Sequence, residues 1–291
     1  MPTGNTTTSS LADSLPIVID GARIVREYEG VYNRVVDKQT LPPGTGLNWD
    51  EISLSQLIAT QVTESTVLDN PQQLVDTLFS ITPTVIGIQT LFTDRVQRRI
   101  AKVAWAKTGT LAQNAMNRKK DEDFLTVLDG ATTSLGGAGT TNTFGLISAA
   151  GSRITGNTTE PARGALFAVL HPFQIKDIQD EIVAGVGTYT VPTGMTEDVF
   201  RKGFSGSVAN ANVFADGNMA IDASDDAKGG VFAREAIVLV QGHSPRNESR
   251  RRPEIGGGAD EMFMYDEFGL GERSAGNWLY EIYTDATAPT T

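Results

Sequence analysis

A strand-like segment that runs directly into a very long helix constrains this chain more than any other feature. Residues Thr84 to Phe92 (TVIGIQTLF) are rich in β-branched and apolar side chains and alternate in their second half, as a strand does. The following residues predict a helix from Asp94 to Asp129, which would be roughly 50 Å long at about 1.5 Å per residue. Globular helices average only about 11–12 residues, so part of this helix must lie along something other than a small compact core.

Both ends of the predicted helix carry sequence signals. Asp94 and Gln97 fit a capping box, and Gly130 stands where a glycine in the left-handed conformation commonly ends a helix. Two shorter helices remain an alternative, with a break at Gly109 or in the polar stretch Asn117–Asp123 (NRKKDED). The apolar stripe predicted for the buried face consists of Val96, Ile100, Val103, Leu111 and Ala115.

Composition excludes several classes of function. The 291 residues include no cysteine and only two histidines, which excludes disulfides and zinc–thiolate sites and leaves little for a histidine-based metal site. We therefore expect no cofactor and no metal. A net charge of −11 disfavours broad non-specific binding to nucleic acid, although it suits a surface that encloses a polyanion without adhering to it. No apolar stretch reaches the ~20 residues of a membrane span, and the N-terminus lacks the features of a secretory signal, so we expect a cytoplasmic protein with no membrane partner.

The first eighty residues predict little compact structure. Residues 1 to about 14 are polar and read as a flexible arm, and Pro16–Val36 predicts a short helix with Ile24, Val25, Tyr28 and Tyr32 on one face. The segment Leu41–Ser80 has no convincing helix, and its alternation favours a long extended hairpin that projects from the body. A lone hairpin is marginally stable in water, so we expect it to lie on another subunit. Its candidate interface residues are Leu47, Trp49, Ile52 and Leu54.

The remainder predicts a mixture of helices and strands. A glycine-rich connection at Leu135–Gly145 indicates a boundary, and a buried strand at Ala165–Leu170 then leads into a helix with Ile175, Ile178 and Ile182 on one face. Four more strands are predicted, the last of which could join the second domain. They are Ser207–Phe214, Ala236–Gln241, Asp260–Leu270 and Trp278–Tyr283.

Short motifs that resemble catalytic signatures all lack an essential part. Lys107-Thr108-Gly109 matches one β-lactamase motif, but the chain has neither Ser-x-x-Lys nor Ser-Asp-Asn. Gly203–Ser207 (GFSGS) does not complete the G-x-S-x-G nucleophile elbow, and the glycine clusters at Gly136–Gly139 and Gly256–Gly258 lack the GK[ST] ending of a phosphate loop. His171, at a strand end before a proline, is best explained as a structural histidine. We therefore expect no enzyme activity.

An acidic turn and a basic cluster complete the candidates. Asp222, Ser224 and Asp226 resemble the start of a calcium loop, but its later positions do not fit, and an acidic surface turn explains them better. Arg250, Arg251 and Arg252 form the only strong basic cluster. They could contact phosphate, but the acidic chain and the absence of interleaved aromatic residues favour an ion-pair patch between subunits.

Taken in order, these elements resemble the major capsid protein of tailed bacteriophages, the HK97-type fold. The resemblance rests on the arm, the extended loop, the strand and long helix (ITPTVIGIQTLFTDRVQRRIAKVAWAKTGTLAQNAMNRKKDEDFL), and segments such as AVLHPFQ and DASDDAKGGVFAREAI. It implies an α+β fold with an N-terminal arm, an extended β-hairpin loop, a peripheral domain with a long spine helix, and an axial domain. The expected boundaries are 1–36 (arm and short helix), 37–80 (extended loop), 81–134 (peripheral domain with spine helix), 135–244 (axial domain) and 245–291 (returning peripheral-domain strands and the last axial strand).

The resemblance also implies a structural function. Many copies would form hexamers and pentamers of an icosahedral shell around double-stranded DNA, in the virion and, during assembly, in the host cytoplasm. The implied partners are other copies of the chain, a separate scaffold, a portal and possible decoration proteins, with no sequence-specific binding to DNA. Some relatives cross-link through a lysine of the extended loop. This chain has no lysine between Lys38 and Lys102, so we expect a non-covalent shell.

Three alternatives stay open at this stage. An encapsulin-type bacterial compartment shares the fold but encloses cargo enzymes instead of DNA. A host-binding decoration or tail protein would not form closed shells. An unrecognised hydrolase would need a nucleophile, a base and an orienting group, and no such constellation is visible.

Overall fold

The computed structural model describes residues 30–64, 71–99, 102–184 and 206–290. The expected arm at residues 1–14, and the predicted helical positions Ile24, Val25 and Tyr28, fall outside these ranges. The end of the predicted short helix is described and forms α1, Tyr32–Val35.

A strand and a long helix dominate the first half of the described chain, as the sequence predicts. Strand β4 spans Thr84–Thr93, helix α2 begins at Asp94 and spans Asp94–Arg99, and helix α3 spans Lys102–Asp129. Residues 100 and 101, between the two helices, are not described. Helix α3 passes through Gly109 and through residues 117–123 without interruption, so a break at either place is wrong.

The predicted details of the helix ends are wrong. Asp94 donates its backbone N–H to the carbonyl of Gly258, and the Gln97 amide donates to Asp260, so no capping box forms. Gly130 donates to the Thr126 carbonyl and does not adopt the left-handed conformation. The chain can therefore leave α3 without the positive φ angle that would have required a glycine.

The predicted apolar stripe is also displaced. Val96 is buried as expected, but Leu111 is 41% exposed and Ala115 only half-buried, and the side chains at 100 and 103 are not described. The buried face of α3 instead follows a spacing of four residues. Its members are Ala112, Met116, Lys120, Phe124 and Leu128, with Asp121 and Leu125 beside them.

Three sheets account for the described strands. A four-stranded sheet has the order β1 (Asp37–Thr40), β10 (Ile237–Arg252), β11 (Ala259–Glu272) and β4. A six-stranded sheet has the order β5-β12-β9-β6-β8-β7, and strands β2 (Trp49–Leu54) and β3 (Asp76–Ile81) form an antiparallel hairpin. The members of the six-stranded sheet are Ser134–Gly136 (β5), Leu166–Leu170 (β6), Ser207–Val208 (β7), Ala211–Ala215 (β8), Asp226–Ala233 (β9) and Leu279–Asp285 (β12).

The six-stranded sheet is buried on both faces. Phe167, Val169 and Phe232 pack with the C-terminal end of α3, whereas Leu166 and Val231 pack against helices α4 (Phe144–Thr155) and α5 (Pro172–Ala184). Because successive strand residues point to opposite faces, this arrangement explains why every residue of β6 is apolar and buried. The strand–helix unit of β6 and α5 and the joining of β12 to this sheet confirm the prediction.

Several elements differ from those predicted. The strand expected at Ser207–Phe214 is two strands, β7 and β8, because Ala209 and Asn210 both have positive φ and form a tight turn. The strand expected at Ala236–Gln241 begins at Ile237 and continues to Arg252, with register irregularities on either side of His243 that accommodate Pro245. Helix α4 has no counterpart among the predicted elements. A short 3-10 turn at Arg234–Ala236 links β9 to β10.

Candidate functional site: surfaces for assembly

The β2–β3 hairpin has one face that packs against its own chain. Register pairs Trp49 with Ile81 and Glu51 with Phe79 on this inner face. The Trp49 and Phe79 rings meet edge to face with centroids 6.2 Å apart, and they pack with Ile81 against the buried Val238 and Val240 side chains of β10. The base of the hairpin is thereby fixed to the four-stranded sheet.

Arg273 adds a polar clamp at the same place. Its guanidinium donates to Glu51 of the hairpin (Nε to Oε2, 2.9 Å) and to the carbonyl of Glu235 (2.9 Å), and it forms an ion pair with Asp37 of β1 (3.4 Å). Arg273 is mostly buried, so these contacts are better shielded from solvent than typical surface ion pairs.

The outer face of the hairpin has no partner in the described chain. Ile52 is 62% exposed, Leu54 68% and Leu78 62%, and Ile52 and Leu78 are directly paired across the strands. Further exposed apolar residues continue along the loop beyond the strands, namely Leu57, Ile58, Val62, Leu74 and Val75. Soluble monomers rarely expose a contiguous apolar surface of this kind, so the outer face is a candidate contact surface.

The four hairpin residues predicted for an interface therefore occupy different environments. Leu47 is 81% exposed in the turn before β2, and Ile52 and Leu54 lie on the outer face. Trp49 lies on the opposite, inner face, where its ring contacts its own chain. The spacing of the residues could have shown this, because positions 49 and 52 cannot share a strand face.

The three arginines predicted as an interface patch have unequal surroundings. Arg251 donates to Asp94 through two nitrogens and to Asp260 at 3.1 Å, and Arg252 donates to the buried Glu261 at 2.9 Å. These contacts lie within one chain and tie strand β10 to the start of α2 and to β11. Arg250 is exposed and forms no ion pair with a described side chain.

The carboxylate partners of these arginines were not identified from the sequence. Hydrogen bonds from Arg251 hold the pKa of Asp94 below its ordinary value, and the same pairing raises the pKa of Arg251. The signal available in the sequence is Asp94 at a predicted helix start, where an aspartate is typical of a cap. The long-range pairing of β10, β11 and β4 brings the arginine there instead.

Buried charges cluster where α1, α3 and β11 meet. Lys120 of α3 pairs with Asp266 of β11 (Nζ to Oδ2, 2.6 Å), and both side chains are almost completely buried. The neighbouring Asp121 is fully buried, and its carboxylate accepts the backbone N–H of Tyr32 at 3.3 Å. The polar stretch at 117–123 therefore contains core residues that hydrophobic periodicity could not identify.

The motifs considered for chemistry adopt structural roles. The His171 ring accepts the backbone N–H of Phe173 at 3.2 Å, and burial lowers its pKa. The Asp222 carboxylate accepts the N–H groups of Ser224 (2.8 Å) and Asp226 (3.1 Å), as in an acidic surface turn. Lys107, Thr108 and Gly109 lie within α3, and most of Gly203–Ser207 is outside the described ranges.

A groove of about 470 Å³ lies beside the C-terminal half of α3. Its acidic side chains already have partners in the chain: Lys228 contacts Asp129 at 2.6 Å, and Asp222 and Asp226 belong to the turn described above. In the ranges that the structure describes, no three histidine, aspartate or glutamate side chains are grouped so that they could hold a metal ion. No helix of this described portion is long and apolar enough to cross a membrane.

Comparison with solved structures identifies the fold. The chain matches a structure titled "Acidic stable capsid structure of Helicobacter pylori bacteriophage KHP30" with a TM-score of 0.71 and 13% identity, over 98% of this chain and 100% of that one. The chain has a phage-capsid fold. The capsid fold also matches a chain of Mycobacterium phage Che8 (TM-score 0.68, 14% identity, 90% and 94% covered) and the capsid of cyanophage Pam1 (0.69, 11%, 99% and 100%).

These likenesses confirm the expected α+β, HK97-type architecture. No protein-family model and no curated protein matches the sequence. At 11–14% identity the likeness concerns the capsid fold alone, and the fold is retained along nearly the whole length of each chain.

Proposed function

We propose that this chain is the major capsid subunit of a tailed bacteriophage. Copies of it would form hexamers and pentamers and close into an icosahedral shell that encloses double-stranded DNA. The observation that carries the proposal is the match of almost the entire chain to phage-capsid chains that are themselves covered end to end. The role is structural, and its site of action is the virion after assembly in the host cytoplasm.

The proposed division of labour follows the sheets. Most of the four-stranded sheet and the long helix belong to a peripheral domain (81–134 with the returning strands of 245–291), and the six-stranded sheet belongs mainly to an axial domain (135–244). Strand β1 and the first residues of β10 join the four-stranded sheet from outside the peripheral ranges. Residues 37–80 form the extended loop, and residues 1–36 the arm and short helix. The partners are other copies of the chain, a scaffold and a portal, with decoration proteins as possible additions.

The outer face of the hairpin is the proposed contact with a neighbouring subunit. Ile52, Leu54 and Leu78 present apolar surface that a single chain leaves in water, and its burial on a neighbour would stabilise the shell by about 25 cal/mol for each Å² removed from solvent. Repetition of a modest contact around a closed lattice gives a large collective stability. Leu47 and the exposed Arg250 are additional contact candidates.

Electron microscopy of the expressed protein tests the proposal. We expect the wild-type chain to form closed shells or hexamer sheets, and the double variant I52D/L78D to remain as unassembled subunits with an unchanged circular dichroism spectrum. Val85→Asp is the matched control, because Val85 is 66% exposed but lies on β4 of the four-stranded sheet and is not part of the hairpin, and this variant should assemble. Closed shells formed by I52D/L78D would contradict the hairpin contact, and wild-type monomers under all assembly conditions would contradict the proposed function.

The contents and the covalent state of the particles give two further tests. Nuclease-protected DNA inside particles from infected cells identifies a phage head, whereas enclosed enzymes would indicate a cargo compartment. The absence of lysine between Lys38 and Lys102 leaves the hairpin without an amine. Denaturing gels of mature particles should therefore show monomers, and a ladder of cross-linked multimers would contradict a non-covalent shell.

A further inference from the structure

Two buried carboxyl groups hold the start of helix α1. Asp121 of α3 and Asp216, which follows β8, are both completely buried. Asp121 accepts the backbone N–H of Tyr32 (3.3 Å), and Asp216 accepts the backbone N–H of Val31 (3.4 Å). Asn218 bridges them, since its backbone N–H donates to Asp216 (2.9 Å) and its side-chain amide donates to Asp121 (2.8 Å). The first turn of α1 thus rests on both carboxyl groups together.

Both carboxyl groups contact the same residue, Asn218, so their charges lie close together in the core. Two buried carboxylates this close repel each other strongly, which favours a state in which one of the two groups keeps its proton. Burial raises the pKa of Asp216 to about 7, and the nearby charge of Asp121 acts in the same direction. Asp216 is therefore the group that keeps the proton.

The surrounding charged groups do not neutralise the pair. Lys120, the adjacent cation on α3, is already paired with Asp266 of β11 at 2.6 Å. Tyr32 of α1 contributes a phenol that donates to Asn117 (3.4 Å), and burial together with Asp121 and Asp266 raises its pKa to about 12, so it stays neutral. Glu122, next on α3, lines the groove beside the helix. The pair thus holds one proton and has no cation of its own among the described residues.

We propose that Asp121 and Asp216 form a proton-dependent latch that fastens helix α1 to helix α3. With the shared proton, the two groups attract each other and jointly accept the N–H groups of α1. Without it, two buried carboxylates face each other and repel. Separation of α1 from α3 readmits water and relieves that repulsion. The latch is independent of the proposed function, because it operates within a single chain.

The direction of the pH effect follows from linkage. In the open state Asp216 is solvated and has an ordinary pKa near 4, so raising the pH through that value ionises the open state while the latched state keeps its proton. Opening therefore becomes progressively easier between about pH 4 and pH 7 and levels off above pH 7. If opening returns the pKa of Asp216 fully to its ordinary value, the equilibrium constant for opening rises by up to about a thousandfold over this range.

Amide hydrogen exchange, measured by mass spectrometry on the full chain between pH 5 and pH 8, tests the latch. After correction for the intrinsic pH dependence of exchange, peptides covering residues 30–36 should lose protection by at least about tenfold between pH 5 and pH 7 and little more by pH 8. Asp216→Asn and Asp121→Asn keep the shape and supply a permanent amide donor in place of the proton. Both variants should therefore protect these peptides independently of pH.

Asp222→Asn is the matched control, since Asp222 lies six residues from Asp216, is exposed, and belongs to a separate turn. This control should keep the wild-type pH dependence. The latch would be overturned if the protection of residues 30–36 in the wild type did not change with pH, or if it changed in Asp216→Asn as it does in the wild type. A loss of the pH dependence in the Asp222→Asn control would also overturn it. If an Asn variant fails to fold, a carbon-13 titration of the Asp216 carboxyl in the wild type decides the matter, and an apparent pKa below 5 overturns the proposal.

Discussion

Lys120 lies in the core although its surroundings in the sequence are polar. Its ammonium group contacts Asp266 and lies 5.3 Å from the centre of the Phe268 ring, and Gln241 completes the environment of both charges. Sequence reasoning could not find this position, because a lysine and an aspartate occupy two buried places on the stripe that periodicity expects to be apolar. Only distant parts of the chain give these charges their partners: β11 brings Asp266 to Lys120, and Tyr32 and Asn218 donate to Asp121.

Removal of one member of this pair should be costly. In Lys120→Met the carboxylate of Asp266 stays buried without its cation, so we expect the free energy of unfolding to fall by about 3–5 kcal/mol in urea titrations of unassembled subunits. The double variant K120M/D266N should recover part of that loss. Lys119→Met, whose ion pair with Asp123 is exposed, should change it by about 0.5 kcal/mol or less. Equal effects of K120M and K119M would show that the burial of the pair is unimportant.

Phe124 tests the apolar part of the same helix. It is fully buried, and its ring meets Phe232 of the six-stranded sheet at 5.8 Å, edge to face. We expect Phe124→Ala to lower the free energy of unfolding by about 3–5 kcal/mol, since the cavity cannot collapse between a helix and a sheet. Leu111→Ala, on the exposed side of the helix, should cost less than about 1 kcal/mol. A comparable loss of unfolding free energy in Leu111→Ala would instead support the buried face predicted from the sequence.

At the scale of elements, local signals located most segments but not all their ends. Strand β4, helices α3 and α5, and strand β6 follow from periodicity and β-branched composition. Helix α4 has usable signals, because Thr143 accepts the N–H of Leu146 as a cap, and Ile147 and Ile154, two turns apart, are buried on the same face. Its many glycine and small residues concealed them. The turn at Ala209–Asn210 needs two positive φ angles, which an alanine gives no reason to expect.

Gly109 is a weak point that α3 tolerates. A Cβ placed there would meet no described atom outside the adjoining turns of its own helix within 4 Å, so Gly109→Ala should raise the free energy of unfolding by about 0.5–1 kcal/mol through helix propensity alone. Gly229→Ala should have the opposite effect, because its Cβ would lie 2.5 Å from the Val169 carbonyl oxygen. This substitution should lower the free energy of unfolding by about 1–3 kcal/mol or more. Urea titration compares the two. A destabilised Gly109→Ala would indicate that the helix needs flexibility there.

Arg273 governs how the hairpin joins the body. Arg273→Ala removes the contacts to Glu51, Asp37 and the Glu235 carbonyl, so amide exchange in Trp49–Leu54 should accelerate by about tenfold or more. Arg246→Ala serves as the control, since Arg246 is well exposed and its ion pair with Glu248 lies on β10. Unchanged exchange in Arg273→Ala would mean that the apolar contacts of Trp49 and Phe79 hold the hairpin unaided.

At the scale of the whole molecule, the order of the elements was more informative than any motif. A projecting loop, a strand with a long helix, a β-α unit and long returning strands together resembled one fold, and the solved structures confirm it. The pairing of residues 37–40 with β10, and of β4 with β11, could not be predicted, because partners more than 160 residues apart leave no local trace.

Arg250 separates two interpretations of the basic cluster. Because it has no ion pair with a described side chain, Arg250→Glu should leave the folded subunit intact, as judged by circular dichroism, while it weakens contacts between subunits. We expect fewer closed particles by electron microscopy and unchanged DNA content per particle. Normal assembly with reduced DNA content would instead favour contact with phosphate. Arg251→Glu cannot serve here, since it would also break the contacts to Asp94 and Asp260.

The clamp at the base of the hairpin determines where this molecule is stiff and where it can bend. Trp49, Phe79 and Arg273 hold the proximal strands rigidly, whereas residues 55–64 have no regular structure and are exposed along their length. Bending is thus confined to the distal part of the hairpin, while its base keeps a constant orientation relative to the four-stranded sheet. In a shell whose subunits meet at slightly different spacings, the same chain could reach each neighbour by bending only this distal part, without any rearrangement of its core.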